Sequence, residues 1–373
     1  MKAIIVGGGI MGLATAWGLA RGGHEVELFE QGPLPNPLAS SMDEHRLIRH
    51  PYGDHRGYAR MIDEAYAAWE QLWSDLGQRL HAPVGTLALT ANGETWAARS
   101  AATLAALGKP MAELKVSDLP RRFPMLDTRG VERAFWIDSG GVLFAHDIVT
   151  ALARHLARKA NVRLHADTPV HSVDLERGCV ITECGSQHGA DLVVVAAGAW
   201  VGRLLPSQQR RLIPSRQIVV YFDLPADQRA LWAKGPMVIE KSGDVGLYLV
   251  PPAEGRGLKV GDHAFSRSGD PTSGRDASEA EIGPLLERCR NLLRGFERWR
   301  VDRLKACFYT VTDDERFVVE KQGDKGWVMS PCSGHGFKFG AVMGLRLART
   351  IADGGDPAAH AQWAAGLEGD RPT

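Results

Sequence analysis

The chain lacks the raw material for disulfide frameworks, zinc knuckles and membrane spans. Its five cysteines, at positions 179, 184, 289, 307 and 332, are sparse, odd in number and never paired at zinc-ligand spacing. That excludes a stapled scaffold, leaves no metal site to expect, and points to a reducing, cytoplasmic setting. No uninterrupted apolar run approaches the roughly 18 residues that a membrane helix needs. An excess of charge of either sign is also missing, since Lys+Arg and Asp+Glu are both 44. Without a global field, nucleic acid and anionic membrane are poor partners, and a small neutral or zwitterionic molecule is the easier expectation. The apolar start could pass for a signal peptide, but Gly7-Gly8-Gly9 interrupts it and no small-residue cleavage site follows.

The first thirty residues carry the strongest fold signal. Ala3 to Val6 reads as a short apolar strand, Gly7-x-Gly9-x-x-Gly12 follows at once, and Leu13 to Ala20 continues at helical spacing until Gly22-Gly23. Val26 to Phe29 then reads as a second strand that ends at Glu30. Gly7 permits a tight turn, Gly9 lets the backbone approach a pyrophosphate, and Gly12 lets helix pack on strand. The helix N-terminus, at Ile10 and Met11, attracts the phosphates, and Glu30 is placed for a ribose hydroxyl. The pattern implies a dinucleotide and leaves FAD and NAD undivided.

Further along, Tyr58 to Leu76 is an amphipathic helix with Met61, Ile62, Ala65, Trp69, Leu72 and Trp73 on one stripe, and Gly77 stops it. Asp147 to Ala157 is a second helix, followed by short strands at Val162 to His165, Pro169 to Leu175 and Val180 to Cys184. Asp191 to Ala196 is a buried strand ending in Ala197-Gly198-Ala199-Trp200. From Pro214 to Asp262 the pattern turns β-rich, at Gln217 to Phe222, Val245 to Val250 and Gly257 to Gly261. Ser278-x-x-Glu281 is a capping box opening a helix through Leu285, Leu286, Cys289, Leu292 and Leu293, with Gly295 at its end. The stretch Ser266 to Ser278 reads as a surface loop.

Four segments then recur in an order that resembles the monomeric sarcosine oxidase family. They are Ser41 to Gly53, Gly257 to His263, the run Lys305-Ala306-Cys307-Phe308-Tyr309-Thr310, and Gly334-His335-Gly336-Phe337-Lys338. The resemblance implies an α/β chain in which a Rossmann-like FAD-binding domain, residues 1–83, 144–213 and 305–373, is interleaved with a β-rich α+β substrate domain, residues 84–143 and 214–304. It implies FAD attached covalently through Cys307 and held also by Gln31, Ser40, Ser41, Val170, Ala197, Gly198, Trp200, Gly334, Gly336, Phe337 and Lys338. Arg49 and Lys338 match the pair that grips the substrate carboxylate, Lys259 the residue that activates oxygen, and Arg46 a basic residue near the flavin ring. Tyr248, His263 and Tyr309 match the cavity lining. Family members oxidise secondary or N-methyl amino acids with O2 and work as monomers.

The chemistry suits these charges on its own terms. An amine with a lysine-like pKa is neutral in roughly one molecule in a few thousand at pH 7, a handicap of about 4 to 5 kcal/mol for loss of hydride from the neighbouring carbon. Burial among Arg46, Arg49 and Lys259 disfavours the ammonium form while the carboxylate stays paired. Met42 and His45 stand where close sarcosine oxidases carry histidine and threonine. In an extended segment His45, Leu47 and Arg49 share one side, which makes His45 a further candidate. A flavin dehydrogenase that demethylates an amino acid and passes electrons to a carrier protein, and a non-catalytic flavin-binding protein, remain the alternatives.

Overall fold

The computed structural model describes residues 1–242 and 245–367. The expected first domain therefore ends outside the described residues over 368–373. Strand Lys2–Val6, with Ala3, Ile4 and Ile5 fully buried, lies within a six-stranded sheet. Such a run is apolar throughout because both faces of its sheet are covered. It pairs in parallel with Glu25–Phe29 on one side and Leu192–Val195 on the other. Val162–His165 and Gly326–Ser330 extend the sheet in parallel, and antiparallel Val318–Gln322 forms one edge.

Helix Ile10–Arg21 crosses from the first strand to the second and shares a core with Arg56–Leu76, Ala145–Ala157 and Gly340–Ala352. The apolar stripe expected on Arg56–Leu76 is the buried one, from Met61 and Ile62 to Leu72 and Trp73.

A second, eight-stranded sheet runs in the order Arg300–Val311, Ile213–Asp223, Leu258–Asp262, Leu247–Val250, Met237–Lys241, Thr86–Thr90, Arg133–Ile137 and Ala112–Leu114. Its strands alternate in the two-residue period of a pleated sheet. Val238, Leu247, Leu249, Leu258 and Val260 pack beneath it with Ile282, Leu285 and Cys289 of the following helical stretch. Ile239, Tyr248, Val250 and Lys259 point the other way, into a cavity. This division of side chains turns the sheet into the wall of a site.

The expected boundary at residue 305 falls inside strand Arg300–Val311, which stays paired with Ile213–Asp223 as far as Val311. Ser278 and Glu281 form the expected capping box. The α-helix that follows, Gly283–Leu292, stops short of Gly295; Leu293 is already extended, and Gly295 instead opens the short helix Phe296–Arg298. Among the described residues no helix is long and apolar enough to cross a membrane.

Candidate active site

A cavity of about 340 Å³ runs from the tips of the parallel sheet to the face of the mixed sheet. At one end its wall is made by Gly7, Gly9, Ile10, Met11, Glu30 and Gln31. Here the local structure fits a dinucleotide by exclusion of side chains. A Cβ on Gly7 would stand 2.4 Å from Ala196 O, and one on Gly12 would stand 1.9 Å from Gly7 O, so strand, turn and helix approach each other only with glycine at both positions. Glu30 accepts the Gly8 N–H at 2.6 Å and the Asn36 amide at 2.8 Å, which fixes the carboxylate while a carboxylate's four acceptor directions leave room for a hydroxyl. Ser41 Oγ accepts the Ile10 N–H at 2.9 Å and secures the helix start. Ser40, Ser41, Val170, Ala197, Gly198 and Trp200 also line the cavity.

At the other end four cations converge. Arg46, Arg49, Lys259 and Lys338 all line the wall, together with Tyr248, His263, Tyr309, Gly334, Gly336 and Phe337. Lys338 sits on the short helix Phe337–Phe339, where its Nζ donates to Tyr52 Oη at 3.1 Å and His335 O at 3.2 Å. The guanidinium of Arg49 donates to Pro51 O and lies 4.8 Å from the Tyr52 ring centre. Burial and the mutual repulsion of these two charges pull the Lys338 pKa well below its ordinary value. Burial pushes the Tyr248 phenol up to about 12 and Tyr309 well above the usual range, so both stay neutral hydrogen-bonding groups.

Lys259 is almost wholly enclosed, 1% exposed. Burial and then the Arg46 charge pull its pKa well down, and the Asp43 carboxylate at 2.5 Å from Nζ works in the opposite direction. Asp43 also accepts from Arg46 and from the Tyr221 hydroxyl. This buried carboxylate is the principal residue that the sequence did not single out. It stood inside a quoted motif, yet its partner Lys259 lies 216 positions away. His335 and Cys332 in the wall were missed too, although His335 lies inside the glycine segment and Cys332 two residues before it.

Three expected site residues are outside the wall. Gly12 lies behind it, in the helix–strand contact. His45 is fully buried with Nε2 3.2 Å from Gly257 O, and burial then the Lys259 charge lower its pKa to about 3; it lies behind the Asp43–Lys259 layer, where its backbone oxygen accepts from Lys259 Nζ at 3.2 Å. Cys307 is buried in strand Arg300–Val311, packed with Tyr309 and Cys332, and the thiol lining the wall is that of Cys332.

Comparison with known proteins places this geometry. The model of the DAO family, described as FAD dependent oxidoreductase, matches residues 2–350. The chain belongs to the DAO family. Among curated proteins it is similar to monomeric sarcosine oxidase of Bacillus sp. (strain NS-129), 28% identical over 368 residues with 94% of this chain and 92% of the relative covered. It is 26% identical over 348 residues to N-methyl-L-tryptophan oxidase of Yersinia pestis (strain Pestoides F), covering 91% of this chain and 92% of that one. Among solved structures, L-proline dehydrogenase from P. horikoshii superposes with a TM-score of 0.84 at 19% identity over 98% of this chain and 97% of that one. Glycine oxidase from Geobacillus kaustophilus gives a TM-score of 0.78 at 21% identity, with 96% of each chain covered. This DAO-family chain is accordingly an FAD-dependent oxidoreductase, and the glycine-built cleft is where its residues fit that cofactor.

Proposed function

We propose that this oxidoreductase oxidises secondary or N-methyl amino acids, with O2 as electron acceptor and imine and hydrogen peroxide as products. When bound, FAD supplies the hydride acceptor, and we assign Cys307 as its covalent attachment point. Residues 1–83, 144–213 and 305–373 would carry the cofactor, with 84–143 and 214–304 supplying the substrate side. The chain would act as a monomer in the cytoplasm.

One observation carries the reading: Arg46, Arg49, Lys259 and Lys338 line one end of a cavity whose other end is a dinucleotide cleft. Arg49 and Lys338 would grip the substrate carboxylate, and charge-assisted hydrogen bonds of that kind contribute about 1.5 to 3 kcal/mol each. The surrounding positive charge and the neutral wall of Tyr248, Tyr309, Ile239 and Val250 favour loss of the ammonium proton before hydride leaves. Lys259 would stabilise negative charge as it develops during oxygen reduction.

A second reading is favoured by Asp43. Its carboxylate at 2.5 Å from Lys259 offsets the charge that oxygen activation needs, which suits a dehydrogenase that delivers electrons to a carrier protein. An anaerobic screen scoring flavin bleaching with N-methyl, cyclic and primary amino acids tests the substrate class, and peroxide release on admitting air tests the acceptor. Bleaching by secondary amino acids with stoichiometric peroxide is the expected result. Bleaching without peroxide would transfer the chain to the second reading, and no bleaching by any amino acid would overturn both.

A further inference from the structure

The cavity face of the mixed sheet carries one more cation than carboxylate gripping requires. Ile239 of strand Met237–Lys241 lines the wall, and the two-residue period of the strand brings Lys241 to the same side. Glu240 pairs with Leu247 across the antiparallel ladder, so Lys241 stands beside Gly246, and His263 N–H donates to Gly246 O at 3.1 Å. Because position 246 has no side chain, the stem of Lys241 lies over it: a Cβ there would be 2.7 Å from Lys241 Cε and 3.1 Å from Nζ. The ammonium is thereby laid across the sheet toward His263, a wall residue. After burial, Lys241 is the foremost influence lowering the His263 pKa to about 3, ahead of Arg49, Lys338 and Arg288. Arg49 and Lys241 also flank the same indole, their cationic centres 5.5 and 5.9 Å from the Trp96 ring centre.

Charge counting separates this cluster from its neighbour. Where Arg46 and Lys259 meet, the chain supplies its own carboxylate, Asp43. Arg288 is likewise held by Glu240 at 2.8 Å. Among the described residues none of Arg49, Lys241 and Lys338 has a carboxylate within ion-pair distance; Arg49 and Lys338 spend their hydrogen bonds on Pro51 O, Tyr52 Oη and His335 O. Glu94 and Glu315 act on Lys241 only at longer range. The Glu94 carboxylate is occupied by the Thr95 and Trp96 N–H groups at 2.7 Å, and Glu315 is exposed. Arg49 and Lys338 are buried and Lys241 is half-buried; buried cations without a counter-charge are destabilising, and a single substrate carboxylate between Arg49 and Lys338 leaves Lys241 unanswered among the described residues.

We propose that the substrate is an N-substituted amino acid with a second carboxylate, which Lys241 receives beside His263. The assignment rests on the carboxylate-gripping role proposed above for Arg49 and Lys338. It names an aminodicarboxylic acid as the substrate class, in preference to sarcosine or a cyclic amino acid with an uncharged ring.

The test uses unreactive ligands of the flavin-loaded protein. Acetate and butyrate are titrated against malonate, succinate and glutarate, with the visible flavin spectrum and the thermal unfolding midpoint as readouts. At least one dicarboxylate is expected to bind about tenfold more tightly than the monocarboxylate of similar length, the scale of one additional charged hydrogen bond. Lys241→Met and Lys241→Gln should bring that ratio close to unity, and Lys241→Arg should keep most of it. Equal affinities in the unaltered protein, or a preference that survives Lys241→Met, would overturn the second carboxylate alone. Failure of every carboxylate to bind a yellow, folded protein would instead remove the grip of Arg49 and Lys338, and the present assignment with it.

Discussion

Two thiols border the cation-lined end of the cavity, and their surroundings predict different fates. Cys332 lies in the wall, but its sulfur accepts the Thr310 N–H at 3.3 Å and burial raises its pKa, the environment of an inert thiol. Cys307 shares a face of its strand with Tyr309, a wall residue, and has the cations Arg46, Lys259 and Lys305 as near neighbours. Cys307→Ser is therefore expected to release all flavin on acid precipitation, while Cys332→Ser keeps the colour in the pellet. Yellow denatured Cys307→Ser protein, or a flavin peptide containing Cys332, would refute the assignment. At this scale the sequence led to the cavity wall where a side chain sits inside a recognisable local run, as Lys259 and Lys338 do. Asp43 was not legible, because a carboxylate in a quoted motif gains meaning only from the buried ammonium that long-range folding sets against it.

Elements whose pattern is local were found by type and place, with their ends off by one to three residues. The helix expected from Leu13 to Ala20 is the core of Ile10–Arg21, and the expected buried strand centres on Leu192–Val195. Strand Arg300–Val311 was invisible as a unit for a physical reason: it is the edge of its sheet, and its first half, with Arg300, Asp302 and Arg303 exposed, carries no apolar period. The parallel pairing of Met237–Lys241 with Thr86–Thr90 joins segments far apart in the chain, which no window of sequence reports. The junction most exposed to a single change is the glycine turn. Gly12→Ala would place a methyl 1.9 Å from Gly7 O, a backbone atom that cannot rotate away. Overpacking of this kind costs about 1 to 3 kcal/mol. We expect the variant to purify with far less flavin and a lower unfolding midpoint. Full flavin content with an unchanged midpoint would show that the helix does not need that close approach.

Across the whole molecule, a balanced charge of 44 against 44 hides an asymmetry in the interior. Several histidines of the interior and the cavity wall face cations: His45 faces Lys259 and Arg256, His263 faces Lys241, Arg49, Lys338 and Arg288, and His360 faces Arg346. Burial first, then these charges, lower their pKa values from 6.5 to about 3, about 3 and about 4 respectively. Native pKa values below the unfolded ones mean that, as pH falls through 6.5, the unfolded chain takes up protons that the native chain refuses. The stability associated with neutral imidazoles is thus fully present above pH 6.5 and is lost progressively as pH falls toward the native values. Each such histidine removes up to about 1.4 kcal/mol per pH unit inside that window, so three acting together outweigh the ordinary variation of a folded protein's stability there. The urea midpoint should be nearly flat from pH 8 to pH 7 and fall steeply between pH 6.5 and pH 5, above the range where ordinary carboxylates titrate. Replacing His360, which lies outside the cavity wall, by Gln should reduce the slope by about one proton's share. A midpoint that holds or rises at pH 5 would mean that these imidazoles are protonated in the native protein, and hence that the cation-rich interior is neutralised by groups other than those assigned here.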